Sequence, residues 1–269
     1  MIALASWEGP GTAVLAVHAT GFCKELWGPV ASLLPPHRLV AFDQRGHGDS
    51  STPPPPYDWW DLGRDVLAVV EGCRLARPAG LGHSSGAAAL LMAELLRPGT
   101  FASLILVEPI VFPLPPVRTE DFPMTRAALR RRRVFPSPEA AAESWRGRGA
   151  FAGWSETALA LYAAHGLRRE AGGWVLKCAP ETEAEFYRGA TAHGVWGRLH
   201  EVSCPVLLAA GAGSDSHPIP FMEAMRARLG GARLEVVAGA GHFLPMEQPE
   251  AVAALVRSLL DGGAGAAGR

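Results

Sequence analysis

The stretch GLGHSSGAAALLMAELL, residues 80–96, decides how this chain is read. Gly82-His83-Ser84-Ser85-Gly86 stands between a short apolar run and a run of helical character. A serine on a strand-to-helix turn is held in an unfavourable backbone conformation that exposes its hydroxyl. Strand and helix approach closely at such a turn, so little bulk fits at Gly82 and Gly86. The helix beginning at Ser85 also aims free N–H groups and a positive dipole end at the turn. The competing reading makes Ser84 an ordinary helix N-cap. With 31 glycines in 269 residues, the pentapeptide alone does not choose between the two.

Outward from this stretch, short β-type runs alternate with helical ones. Residues 12–19, 38–44, 78–83 and 103–109 read as strands. Residues 25–34 read as a helix stopped by Pro35-Pro36, and 58–73 as a helix that Asp58 can cap. Alternation of this kind predicts βαβ units and a parallel sheet, and continuous apolar strands suit a sheet covered on both faces. From 110 to 199 the pattern changes to a proline-rich opening followed by mostly helical, amphipathic sequence. Strands at 204–211 and 233–239 and helices at 220–229 and 249–260 then resume the alternation. The expected organisation is an α/β core of residues 1–109 and 200–262, a helical insertion over 110–199, and a flexible tail at 263–269. No internal repeat is visible.

Bulk properties narrow the function classes. Apolar residues make up 48%, enough for a substantial core, and the formal net charge of −1 favours neither nucleic acid nor an anionic membrane. Four widely spaced cysteines (Cys23, Cys73, Cys178, Cys204) argue against a zinc site or a disulfide framework and suit a reducing compartment. The opening MIALASWEGPG has no signal-peptide character, and no apolar run reaches the length of a membrane span. The expectation is a cytoplasmic monomer or homodimer with a small molecule as partner and neither cofactor nor metal.

Three further motifs lie at the ends of expected strands. In GAGHFLPMEQPE (239–250), His242 occupies a glycine-rich loop before the last helix, where a base for a serine belongs; the plain alternative is a surface histidine. In VHATGF (17–22), the loop can turn a backbone N–H toward Ser84, so the N–H groups of Thr20 and Ser85 are the expected oxyanion hole. His18 reads as a loop organiser. DQRGHGDS (43–50) reads as a structural turn pinned by Asp43 and Arg45, with His47 the residue most easily mistaken for a base.

Together and in this order, VHATGF, DQRGHGDS, GHSSG and GAGHFLPMEQPE resemble the α/β-hydrolase superfamily over nearly the whole chain. The resemblance implies a mostly parallel sheet flanked by helices, Ser84 as nucleophile, His242 as base and an inserted cap over the pocket. The short N-terminus departs from the family's first hairpin, so an edge strand is expected to be missing or truncated. The family's usual acid follows the strand after the cap as G-x-x-D. Here AAGAGSDSH places Ser214 at that position and Asp215 one later. The other candidate is Glu108 in LILVEPI, where haloalkane dehalogenases, zearalenone-lactonase-like enzymes and some small bacterial esterases resemble this chain in carrying their acid. A glutamate reaches further than an aspartate, and a charge at the inner end of an apolar strand is costly unless paired. Glu108 is therefore preferred and Asp215 kept as the alternative.

The chemistry expected is acyl transfer from a small, largely hydrophobic ester or lactone to water. The same triad also suits a C–C bond hydrolase or cofactor-free perhydrolase, and some proteins resembling the family are small-molecule receptors. Phe22, Cys23, His83 and Ser85 are expected at the acyl end of the pocket, and Phe112, Trp145, Trp154 and Trp196 around it. The run RAALRRRR (126–133) either attracts an acidic substrate or forms a solvated helix face.

Overall fold

The computed structural model describes residues 1–120 and 122–264. The chain opens with β1 (Leu4–Trp7), β2 (Ala13–Val17), a 3-10 turn at Lys24–Trp27, α1 (Gly28–Ser32) and β3 (Arg38–Phe42). It continues through α2 (Trp60–Gly72), β4 (Ala79–His83), α3 (Ser85–Leu96) and β5 (Ser103–Val107). Next come α4 (Pro123–Leu129), β6 (Val134–Phe135), α5 (Pro138–Trp145), α6 (Glu156–His165), β7 (Leu167–Glu170), β8 (Gly173–Leu176) and α7 (Pro180–Gly189). The last part holds β9 (Val206–Gly211), α8 (Ile219–Arg228), β10 (Arg233–Val237), α9 (Leu244–Glu247) and α10 (Pro249–Ala264).

The described residues form a seven-stranded sheet in the order β1-β3-β2-β4-β5-β9-β10. All its neighbours pair in parallel except β1, which runs antiparallel to β3 with Leu4 opposite Phe42. Leu4–Trp7 thus forms a four-residue edge strand. Side chains alternate across the sheet with the period of two that a strand imposes. Leu15, Val17, Val40, Phe42, Leu104, Leu106 and Leu208 join α2, α3 and α8 on one face. Val14, Ala16, Leu39, Ala41, Ile105, Val107 and Leu207 meet α1 and α10 on the other. Each fully buried Leu, Ile, Val or Phe contributes about 1.5–3 kcal/mol of transfer free energy, so the pattern holds register as well as stability.

Helix α2 begins two residues later than expected; Asp58 still serves its start, because its Oδ1 accepts from Trp60 N–H at 3.0 Å. The stretch read as an insertion, residues 110–199, lies between β5 and β9. Besides helices it carries an antiparallel sheet, β6-β8-β7, that helical periodicity did not reveal: its strands are two to four residues long. An aromatic group of Phe135, Trp145, Phe151, Trp154 and Tyr162 packs this region against Phe22. At the other end, α10 runs to Ala264, so the first two residues of the expected tail continue a helix; residues 265–269 lie outside the described residues. No helix among the described residues is long and apolar enough to cross a membrane.

Candidate active site

The parallel strands deliver four loops to one edge of the sheet. Ser84 follows β4, Glu108 follows β5, the segment Ala212–His217 follows β9, and His242 follows β10. Because β4, β5, β9 and β10 are consecutive in the sheet, these loops stand side by side although they span 159 residues of sequence.

Ser84 has φ +56° and ψ −115°, a region that L-residues rarely occupy. Its backbone is pinned on both sides: Ser84 N–H donates to Val107 O at 2.9 Å, and Ser84 O accepts from Ile110 N–H at 3.2 Å. Its side chain makes no capping bond to α3, which rules out the plain N-cap reading. The flanking glycines are required by contact. A Cβ on Gly82 would lie 2.5 Å from Ala87 Cα, and one on Gly86 2.2 Å from Val17 O. Glu108 is also held at positive φ, +45°. Strain of this kind persists only where the surrounding structure over-determines it, and it clusters at functional sites.

Glu108 is fully buried and its two oxygens are shared among several donors. Oε1 accepts from Gly211 N–H at 2.9 Å, and Oε2 accepts from His242 Nδ1–H at 2.6 Å and from Ser214 Oγ–H at 2.7 Å. His217 Nδ1 lies 3.3 Å from the same Oε2. Burial works to raise the carboxyl's pKa, but the interactions with His217 and His242 outweigh it and hold the group well below the usual carboxylate range. Asp215 is exposed at the rim of the cavity and makes no bond to His242 among the described residues. Ser214, at the position where the family resemblance places an acid, instead lends its hydroxyl to the carboxylate arriving from β5.

Other histidines serve the loops. His83 is buried, and its Nε2–H donates to the carbonyl of His242 at 2.8 Å. His18 Nε2 accepts from Gln44 N–H at 3.0 Å, and His47 Nε2 accepts from Gly21 N–H at 2.8 Å. Burial pushes His47 and His83 down to about 3, so both are neutral. Asp43 accepts from Lys24 N–H, Lys24 Nζ and Asp49 N–H, each at 2.8 Å, and Arg45 pairs with Asp61 and Asp65. These contacts fix the loop carrying Thr20. There the N–H groups of Gly21 and Phe22 are taken by His47 and by Ala19 O, while that of Thr20 has no acceptor among the described residues. Ser85 begins α3, so its N–H has no partner within the helix.

Ser84, Thr20 and His242 line one cavity of about 560 Å³. Of the expected pocket residues, Phe22 and Phe112 also line it. The other six are placed elsewhere. Cys23 is buried with no exposed surface, and His83 lies beneath the His242 loop. Trp145 stacks on Phe151 in the core of the insertion, Trp154 packs edge-on against Phe22, and Trp196 stacks on Phe221. Ser85 Oγ accepts from Gln44 Nε2 at 3.2 Å, and Ser85 is not among the residues that line the cavity. Apolar walls that sequence reasoning missed come from Trp59, Ile110, Phe122, Met124, Tyr187 and Phe243. Composition offers no signal for them, since wall and core are equally apolar. Among the described lining residues there are two carboxylates, Asp215 and Glu247, and no lysine or arginine. Three arginines of RAALRRRR are engaged outside it: Arg131 with Glu183 and Tyr162, Arg133 with Glu181, and Arg132 with Val134 O.

Comparison with known proteins agrees with this fold. A Caulobacter segnis protein provisionally named carbamate hydrolase RutD is 26% identical over 250 residues, 88% of this chain and 86% of that one. A Variovorax paradoxus protein of the same name is 35% identical over 105 residues, only 40% of its length. The 3-oxoadipate enol-lactonase 2 of Acinetobacter baylyi is 27% identical over 215 residues, 79% of this chain and 74% of that one. In fold, the crystal structure of E-2-(acetamidomethylene)succinate hydrolase superposes with a TM-score of 0.83 at 21% identity, covering 96% of this chain and 94% of that one. The family model described as "Alpha/beta hydrolase family" matches residues 14–255, from the second strand to the last helix, and the chain belongs to that family.

Proposed function

We propose that this protein is a serine hydrolase that cleaves a carboxylic ester or lactone of a small, largely hydrophobic substrate through an acyl-enzyme on Ser84. The observation that carries the reading is the 2.6 Å bond between Glu108 Oε2 and His242 Nδ1, made beside a cavity that Ser84 also lines. With Nδ1–H committed to Glu108, the lone pair of His242 is on Nε2, the tautomer a base needs. His242 Nε2 takes the Ser84 proton as Oγ bonds to the substrate carbonyl carbon. The negative charge moves to the carbonyl oxygen, which the N–H groups of Thr20 and Ser85 stabilise. Collapse breaks the bond to the leaving oxygen, which receives the proton from His242. Water then repeats the sequence on the acyl-enzyme and frees Ser84. Each N–H in such a hole contributes on the order of 3 kcal/mol to lowering the barrier.

Residues 110–199 act in this reading as a cap, since Ile110, Phe112, Phe122, Met124 and Tyr187 from it wall the cavity. The aromatic lining, and the absence of lysine and arginine among its described residues, favour an uncharged acyl group. The enol-lactonase relative supports lactones as a substrate class. The test is hydrolysis of a short aryl ester together with fluorophosphonate labelling. Wild type should turn over and be labelled on Ser84, and Ser84→Ala should do neither. Full activity in Ser84→Ala would overturn the mechanism.

A further inference from the structure

A second imidazole stands beside the Glu108–His242 pair. His217 is fully buried and stacks nearly parallel on His242, with an interplanar angle of 14° and centroids 5.4 Å apart. Its Nε2 lies 3.0 Å from the carbonyl of Pro109. A carbonyl only accepts, so Nε2 carries a hydrogen and the state of the ring is decided at Nδ1. That atom faces Glu108 Oε2 at 3.3 Å and Ser216 Oγ at 3.0 Å.

Two arrangements satisfy these neighbours with little heavy-atom movement. With Nδ1 bare, the Ser216 hydroxyl donates to it; the His217 backbone N–H donates to Ser214 Oγ at 3.2 Å, and Ser214 donates to Glu108. The neutral ring thus accepts from Ser216, and Oε2 is left to His242 and to Ser214, which the backbone N–H of His217 braces. With Nδ1 protonated, the ring is a cation aimed at the oxygen that His242 uses. We propose that His217 is a positioning residue acting through Glu108: neutral, it leaves Oε2 to His242, and protonated, it competes with His242 for Oε2. The inference rests on reading Glu108 and His242 as partners in proton transfer.

The setting makes this competition strong. Turnover requires His242 to become an imidazolium stabilised by Glu108. A proton already on His217 sets two parallel cations against one carboxylate, and the pair then titrates as a unit. Against His217 pack Glu108 from the end of β5, His242 from the loop after β10, Phe112 from the insertion and Phe221 from α8. His83 is neutral on the far side of His242, and Asp215, on His217's own loop, is exposed. Glu108 is therefore the acidic group that decides between the two rings.

The experiment has two readouts. In the first, histidine side chains of the whole protein are titrated by nitrogen-15 NMR in wild type, Glu108→Gln and His217→Gln. Coupled two-step titration of His217 and His242 is expected in wild type, with the part that runs through the shared carboxylate lost in Glu108→Gln and a single step for His242 in His217→Gln. The second is the pH profile of kcat/KM for the short aryl ester, where His217→Gln, and His217→Asn as a second variant, should shift the acid limb to lower pH. For comparable proton affinities the shift is about 0.3 pH unit or more, a two-fold change in proton concentration at half-activity. Independent titration of the two rings, or variant profiles that superimpose on wild type after scaling for a lower kcat, would overturn the proposal. Should wild type neither hydrolyse the ester nor label on Ser84, the functional reading fails, and the NMR titration still decides the coupling.

Discussion

Glu108 Oε2 lies 2.6 Å from His242 Nδ1, joining the end of the fifth strand to a loop 134 residues further along the chain. The relationship separates the two candidate carboxylates. Glu108→Gln should keep the shape but turn the histidine's tautomer, lowering kcat/KM by on the order of 10³–10⁴. Asp215→Asn, at an exposed rim position, should cost less than about five-fold on an uncharged ester. Steady-state kinetics on the two purified variants checks both.

The backbone strain at Ser84 predicts a stability difference between two inactive variants. Glycine adopts φ +56° freely and alanine does not. Ser84→Gly should therefore be more stable than Ser84→Ala by about 1–3 kcal/mol, within the range for a strained non-glycine residue. Urea unfolding of the pair, compared at equal m-value, measures it.

Buried neutral histidines make the fold acid-sensitive. Burial pushes His47 and His83 down to about 3 and His193 to about 4, and lowers His18 as well. Their folded pKa values lie below the ordinary 6.5, so on acidification the unfolded chain binds protons that the folded chain refuses. Stability should begin to fall as pH drops through 6.5 and go on falling toward about 4, by up to about 1.4 kcal/mol per pH unit for each histidine. Glu108, held low, adds its own loss once pH passes below the usual carboxylate range. Chemical denaturation between pH 8 and pH 4 tests the slope, which should be steep well above the carboxylate range.

The cavity's charge predicts a preference among substrates. Among the described lining residues Asp215 and Glu247 stand without a lysine or arginine. An aryl ester with a carboxylate at the far end of its acyl chain should have kcat/KM about ten-fold below that of the uncharged ester of equal length, a cost of about 1.4 kcal/mol. Combining Asp215→Asn with Glu247→Gln should narrow the gap. An equal or greater rate on the anionic ester would remove the charge argument.

Ser84 and His242 were legible in the sequence because their requirements are local. A serine on a strained turn needs small neighbours within two positions, and Gly82 and Gly86 stand there. The parallel sheet was legible because continuous apolar runs alternating with helical ones bury both faces. The insertion's small sheet was not, since strands of two to four residues are too short to display a period. Nor was Trp145, Trp154 or Trp196 distinguishable from a cavity wall: the three were expected around the pocket and pack into apolar clusters or on Phe221 instead.

By itself, then, the order of residues determined the α/β sheet, the turn that presents Ser84, and the loop that carries His242, because each depends on neighbours a few positions apart. Only the tertiary structure decided that Glu108 rather than Asp215 meets the histidine, and that Ser214 and His217 gather around the same carboxylate. The reason is the pairing of β5 with β9, which sets Glu108 N–H 3.0 Å from Ala209 O and brings together groups about a hundred residues apart. Such contacts are chosen by strand order in the packed sheet, a property of the whole chain that no local pattern encodes.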